Sequence, residues 1–381
     1  MQSFARRGTQ QLITGTLAVA CGLASGAAQT TPQHYKQTNL TSSNASLAPV
    51  SDVHLVNPWG LSRSSGGPWW DSDNGTGLST LYSGTGAVIP LVVTIPPADA
   101  KKNPTGSPTG TVFNGGAGFP VKGNPSIFLF VTEDGTISGW NPKSDPTNAI
   151  IAVNEKDHAS FKGATQATVT LKQSEQKLLY IADFFNAKVQ VFDSTFHHLS
   201  LIEDRFQQPG EGEEGQYHPE DSDGFAPFNI QNIGGDLYVS YAKQDNTRLN
   251  EVDGPGLGYV VVYSAEGRML RRLERGSFFN APWGLALASG DFGQYSHDLL
   301  VGQFGSGEIL AFDPQTGKFL GKLNGGNNAP LKIDGLWGLS FGNGLAAGPA
   351  TSLYFAAGIN HEAGGLFGSI TAVENVLGND Q

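Results

Sequence analysis

Beyond residue 50 the chain is a succession of short runs in which apolar and polar residues alternate, each bounded by Gly, Asp, Asn or Pro. A period of two puts successive side chains on opposite faces of an extended strand, and the bounding residues are those that turns require. Leu179-Tyr-Ile-Ala-Asp-Phe-Phe-Asn-Ala-Lys-Val-Gln-Val-Phe-Asp reads as two strands around a turn at residues 185–187. Residues 299–323 read as three strands, the last two joined by a turn at 314–317, and further copies begin at Phe128 and Gly258. The pattern is that of an all-β protein.

A second element recurs ahead of these strand pairs. Asn57-Pro-Trp-Gly-Leu-Ser, Ala226-Pro-Phe-Asn-Ile-Gln, Ala281-Pro-Trp-Gly-Leu-Ala and Gly335-Leu-Trp-Gly-Leu-Ser each place a small or turn residue and an aromatic before an apolar alternation. Their aromatics are Trp59, Phe228, Trp283 and Trp337, and the last two intervals are 55 and 54 residues. A weaker copy at Gly163 lies about two periods after Trp59, so a further member is expected within residues 115–126, making six. A unit of this length with three or four short strands is close to a propeller blade of roughly 40–50 residues, and rings of 4 to 8 blades are usual. The expected fold is an all-β, six-bladed β-propeller over residues 29–372, with 373–381 as a tail. A ring with free ends would expose edge strands. Residues 36–42 are therefore expected to close it as the outer strand of the sheet containing residues 353–355 and 366–370.

The motifs NPWGLS, TEDGTISGW, LYIADF with VQVFD, PFNIQ, APWGLA, LLVGQFG and GLWGLSFG together resemble one family of exported proteins, mostly bacterial with some fungal members, related to the NHL-repeat six-bladed propellers. The resemblance runs from about Tyr35 to Ile370. It implies the fold and supplies no catalytic residue. More distant NHL-like propellers, among them lactonases, an amidating lyase and strictosidine-synthase-like proteins, are similar only in architecture, and their chemistry sits at the mouth of the central channel.

The first 28 residues carry Arg6 and Arg7 ahead of an uncharged, small-residue run, the profile of an export signal, with cleavage expected after Ala28. The mature protein is then expected outside the cytoplasm, secreted or periplasmic. Lipid attachment at Cys21 and twin-arginine export are the alternatives. Cys21 is the one cysteine, so the remainder has no disulfide and no Cys-type zinc site. With 34 acidic and 23 basic residues the net charge is −11, which argues against a basic face for nucleic acid. No later apolar run is long enough to span a membrane. The acidic, glycine-rich stretch at 207–224 reads as a solvated loop between blades three and four. A monomer that recognises an extracellular ligand or partner is expected.

Two groups of residues are candidate sites. Trp69, Trp70, Asp71, Asp73 and Asn74 form a cluster outside the aromatic register, expected at the surface on the loop face, where indoles beside Asp and Asn could stack on a sugar or another flat ligand. Asp71-Ser-Asp-Asn-Gly-Thr-Gly also resembles the start of a calcium loop, yet Tyr82 stands where the twelfth-position acid belongs, which excludes an EF-hand, and a hairpin turn at Asn74-Gly75 accounts for it more simply. Asn57, Asn229, Gln231, Asn280 and Asp334 sit at or near blade openings and could ring the axial channel, holding Ca2+ for a lactonase-like hydrolase or lyase. The competing account of that ring is turn capping. Glu133-Asp134-Gly135 reads as a hairpin turn, Asp183 as an acid flanked by apolar residues, and Trp59, Trp283 and Trp337 as packing between blades.

Overall fold

A computed structural model describes residues 34–171, 173–206 and 224–373, all within one compact unit. The expected signal at residues 1–28 with Cys21, the acidic stretch at 207–223 and the expected tail after 373 lie outside the described residues. Six antiparallel sheets follow one another along the chain. Blade one is Pro58–Ser62, Trp69–Asp73, Leu78–Tyr82 and Val88–Thr94, and blade two is Pro108–Phe113, Phe128–Thr132, Thr136–Trp140 and Ile150–Asn154. Blade three has three strands, Phe161–Leu171, Ser174–Asp183 and Lys188–Asp193, with the short helix Ser200–Phe206 against the last. Blade four is Phe225–Ile233, Asp236–Gln244, Gly258–Tyr263 and Met269–Arg272, with Glu251–Val252 added beside Asp236–Gln244. Blade five is Pro282–Leu287, Leu299–Gln303, Ile309–Phe312 and Phe319–Lys322. Blade six is Leu336–Phe341, Leu353–Ala357 and Leu366–Val373, extended by His34–Ser42 antiparallel to Leu366–Val373 and by Val50–Ser51.

The opening strands of the six blades contact one another in ring order, blade six against blade one included. The alternation explains why the ring holds: each sheet buries both faces, one against each neighbour. In blade one, Trp70 and Leu81 pack on Phe128, Phe130 and Trp140 of blade two, while Trp69 and Tyr82 pack on Tyr354 and Phe367 of blade six. Equivalent apolar clusters fill the seams between blades two and three, three and four, four and five, and five and six. Tyr35 of the His34–Ser42 strand is 1% exposed, and its hydroxyl donates to Phe292 O at 3.0 Å across the seam between blades five and six.

The second blade opens earlier than residues 115–126. Its inner strand, Pro108–Phe113, begins Pro-Thr-Gly-Thr without the aromatic that marks other openings, and residues 114–127 instead carry a side hairpin, Pro120–Val121 with Asn124–Pro125. Five of the six openings share a glycine two places beyond the start, and in blade four Asn229 takes its place. A Cβ on Gly60 would lie 2.5 Å from Thr109 O and one on Gly338 2.5 Å from Trp59 O, so glycine lets neighbouring inner strands converge on the axis.

Candidate functional site at the loop face of the axis

Antiparallel pairing puts the start of each inner strand and the turn between the second and third strands at the same end of every blade. Six turns therefore meet around the axis. They contribute Asn74 from blade one, Glu133 from blade two, Phe184 from blade three, Glu251 and Asp253 from blade four, Phe304 from blade five and Glu362 from blade six.

At their centre is Lys162, on the first turn of blade three's inner strand and 1% exposed. Its ammonium is ion-paired with Glu133 Oε1 and lies 5.2 Å from the ring centre of Trp59 and 5.8 Å from that of Phe184. Glu133 Oε2 accepts from Asn74 Nδ2 at 2.8 Å. Asn57 Nδ2 donates to Glu362 Oε1 at 3.2 Å and to Asn74 Oδ1 at 3.4 Å, and Asn57 Oδ1 accepts from Trp337 Nε1 at 3.0 Å. One ammonium thus acts on three carboxylates, Glu133, Glu251 and Glu362, and Asp253 adds negative charge beside the last two. The crowding shows in their protonation. Burial pushes the Glu251 carboxyl up to about 7, with Lys162 opposing and Asp253 and Glu362 adding to the rise. Burial also raises Glu362, against the Asn57 hydrogen bond and with Glu133 and Asp253 adding, and it raises Asp253.

The turn that presents Glu362 is strained. Asn360, His361 and Glu362 are consecutively left-handed, at φ 56°, 53° and 65°, a region costing non-glycine residues roughly 1–2 kcal/mol each. The backbone N–H of Asn360 is held by Asp334 Oδ2 at 2.7 Å. Strain of this kind persists where surrounding structure imposes it and concentrates at functional positions.

Below the charged layer the aromatics close the axis. Trp59 stacks on Trp337 at 3.6 Å between ring centres, Phe304 stacks on the same indole at 4.0 Å, and Trp283, Phe228 and Phe184 complete the cluster. The three recurring tryptophans therefore plug the centre of the ring, not the seams between blades. Trp283 Nε1 donates to Lys162 O at 3.1 Å, whereas the buried Nε1 of Trp59 has no hydrogen-bond partner. Deeper still, a cavity of about 20 Å³ is lined by all six inner strands, including Gly60, Gly110, Ala164, Asn229, Gln231 and Gly338. That is room for about one water. A wider hollow of about 250 Å³ opens at the opposite end among Leu61, Arg63, Ile233, Leu287 and Phe341.

The five residues read as an axial ring are spread through different depths. Asn57 sits at the loop-face mouth; Asn229 and Gln231 line the narrow cavity; Asn280 Oδ1 accepts from Gly254 N at 2.8 Å; Asp334 is exposed and anchors the Glu362 turn. Among the described residues no three His, Cys, Asp or Glu side chains are grouped to hold a metal ion. The expected surface cluster needs correction. Trp69–Asp73 is a fully buried strand, with Trp69, Asp71 and Asp73 at 0% and Trp70 at 5% exposed, because its indoles fill the two seams flanking blade one. Asn74, half-buried, alone reaches the loop face. Asp183 is also structural, fully buried and supplied with donors from Ser160, Asn186 and Gln190. Glu133 was legible as a turn residue. Its partnership with Lys162, and the roles of Glu251, Asp253 and Glu362, had one available signal: the turn after the second strand recurs once per repeat.

No family model matches the chain. "Uncharacterized protein L690" of Acanthamoeba polyphaga mimivirus is 32% identical over 351 residues, covering 88% of this chain and 85% of its own length. "Uncharacterized protein R648" of the same virus is 30% identical over 344 residues, covering 88% and 80%. Among solved structures, a glucose dehydrogenase superposes with a TM-score of 0.51 at 13% identity, over 89% of this chain and 100% of that one, a likeness of fold alone. The chain is a six-bladed β-propeller, and it belongs to one family with the two mimivirus proteins.

Proposed function

We propose that the chain is a ligand-binding propeller whose loop-face mouth takes a small cationic molecule, one bearing an amine or guanidinium. The observation that carries this reading is the surplus of carboxylates around Lys162 above an aromatic floor. Burial disfavours the charged forms of Glu251, Asp253 and Glu362, and neighbouring carboxylates add to this at Glu251 and Glu362. A cation seated among them offsets both and gains attraction from the aromatic faces. Lys162, already paired with Glu133, organises the acids rather than repelling the ligand. The leader-like pattern of residues 1–28 supports an extracellular or periplasmic setting for this recognition.

A second reading rests on Glu251 alone. A carboxyl titrating near 7 is suited to proton transfer at neutral pH, so the same mouth could catalyse an elimination or hydrolysis without changing the binding argument.

Calorimetry of the full chain with spermidine, arginine and choline, against glucose and sulfate as neutral and anionic controls, tests the proposal. At least one cation is expected to bind, with protons released into buffer near pH 7. Glu362→Gln and Glu251→Gln are each expected to weaken it about tenfold, the loss of roughly 1.4 kcal/mol. Preference for the anion, or cation binding indifferent to both substitutions, sinks the reading.

A further inference from the structure

Away from the axis, blade one contains a group that the ring does not require. Count from the glycine, or the Asn229 that replaces it, on each inner strand. The residue paired across from the next position is Phe130 in blade two, Ile181 in blade three, Val239 in blade four, Val301 in blade five and Phe355 in blade six. All five are apolar. In blade one it is Asp71, paired with Leu61. Two residues on, and therefore on the same face of the strand, stands a second acid, Asp73.

Both are 0% exposed, and none of their four carboxylate oxygens has a hydrogen-bond partner. No Lys or Arg pairs with either among the described residues. An independent observation points to the same spot. Thr80 is directly across from Asp71 in the strand pairing, is 1% exposed, and faces both acids without closing a hydrogen bond of normal geometry to either. A fourth oxygen-bearing residue is close: Asp52, 8% exposed, accepts from the hydroxyl of Tyr82 at 3.0 Å and adds to the negative potential felt by Asp73.

Buried polar atoms are nearly always satisfied, and an unpaired buried carboxylate is among the costliest groups a protein can hold. Five orphan oxygens facing one another are a donor set without a recipient. All are hard oxygens, two of the residues are acidic, and no nitrogen or sulfur is present, which is the chemistry selected by Ca2+ and not by zinc or copper. Protonating the acids would neutralise them, yet it would leave most of these lone pairs still unmatched; a cation engages them together.

We propose that Asp71, Asp73 and Thr80 bind a Ca2+ ion buried in blade one on the face that packs against blade six. The remaining ligands come from backbone carbonyls or water, since Ca2+ takes 6 to 8 oxygens. The role is structural: the ion locks the seam between the first and last blades. It is distinct from any cation in the axial channel, and it is held by two strands, not by a loop.

The test uses the full chain, purified, stripped with EDTA under mild denaturant to open the seam, then returned to native buffer. Metal analysis of the unstripped protein is expected to give one Ca2+ per chain. CaCl2 is expected to raise the melting temperature of stripped protein by several degrees, MgCl2 by less, and NaCl at equal ionic strength not at all. Asp71→Asn with Asp73→Asn removes the response while keeping side-chain volume. Thr80→Val, a milder change that keeps the β-branched shape, is expected to lower Ca2+ affinity about tenfold and so tests the site even if the double variant fails to fold. The proposal is overturned by a melting temperature indifferent to both EDTA and CaCl2, by a response to NaCl alone, or by Ca2+ retained at one equivalent in the double variant. Metal-free stability that climbs as pH falls even in a Glu251→Gln background, and loses that slope when Asp71→Asn and Asp73→Asn are added, would identify a protonated pair and equally overturn it.

Discussion

Asp73 in blade one and Asp183 in blade three occupy the same register position, each opposite the residue two places before the inner-strand glycine. Both are fully buried, but their surroundings differ completely. Asp183 accepts from Ser160 N at 3.2 Å, Asn186 N at 3.3 Å, Asn186 Nδ2 at 2.6 Å and Gln190 Nε2 at 2.8 Å. Neither carboxylate oxygen of Asp73 accepts a hydrogen bond of normal geometry, the hydroxyl and backbone N–H of Thr80 being the donors that lie towards it. Blade three thus builds its acid into a hairpin turn with donors from its own chain, whereas blade one leaves a pair of acids for something outside the chain to neutralise. The same position in a repeat can be structural or ligand-seeking, and neighbouring donors decide which.

The largest effect expected on the donor-supplied side of this comparison is at the axis. Lys162 is the ammonium that acts on Glu133, Glu251 and Glu362, and Lys162→Met keeps its bulk while stranding Glu133. Breaking a buried pair by removing one partner costs about 3–5 kcal/mol, and because the Glu133 side chain is 29% exposed the loss here falls at or below the low end. Urea unfolding should show that loss, and Glu133→Gln in the same background should recover part of it, because the stranded charge is then gone. An unchanged midpoint for Lys162→Met would mean that the ion pair does not hold the loop face together.

Asp183→Asn and Asp73→Asn sharpen the comparison directly. The first confronts two side-chain amides and two backbone N–H groups with a side chain that can accept less and must itself donate, for a loss of about 2–4 kcal/mol. The second, in metal-free protein, replaces a carboxyl whose charged form burial and Asp71 already disfavour, and should leave stability unchanged or raised. Equal losses for the two in EDTA would erase the distinction between the blades.

These contrasts mark how far the sequence could be read. The six-unit ring was legible because period-two alternation, turn residues and the Trp59, Trp283 and Trp337 register are local patterns. Blade two escaped because its opening carries Thr109 where blades one, four, five and six carry an aromatic, and blade three, with Lys162 there, gave only a weak copy. Burial was harder to read. Trp69 and Trp70 were expected at the surface because they break the aromatic register, yet they break it by belonging to a second strand, where each indole fills a seam. Asp71 and Asp73 beside Asn74-Gly75 resemble the start of a calcium loop; the turn read at Asn74-Gly75 is where the structure has it, and strand pairing adds that both acids belong to the strand before it. The Lys162 site was invisible for a different reason: Glu133, Glu251 and Glu362 are separated by more than a hundred residues in each interval and meet only because six turns share one end of the ring.

The smallest effect expected, and the one that separates stability from binding, concerns Glu251. Its folded carboxyl titrates at about 7 against an ordinary 4.5, chiefly through burial. A raised acid binds its proton more tightly in the folded state, so its contribution to stability is fully present below about 4.5 and is lost as pH rises through 7. Melting temperature should therefore fall between pH 5 and 8, and Glu251→Gln should flatten the slope, matching the wild type near pH 5 and exceeding it near pH 8. For a half-buried side chain the gap should be on the order of 1 kcal/mol after solvent screening. Cation affinity at the mouth must run the other way, since a ligand that prefers ionised carboxylates binds better as pH climbs through 7. Opposite slopes for melting and for spermidine binding, both abolished by Glu251→Gln, tie the two to one carboxyl; parallel slopes would remove Glu251 from the binding mouth and leave its proton a matter of burial alone.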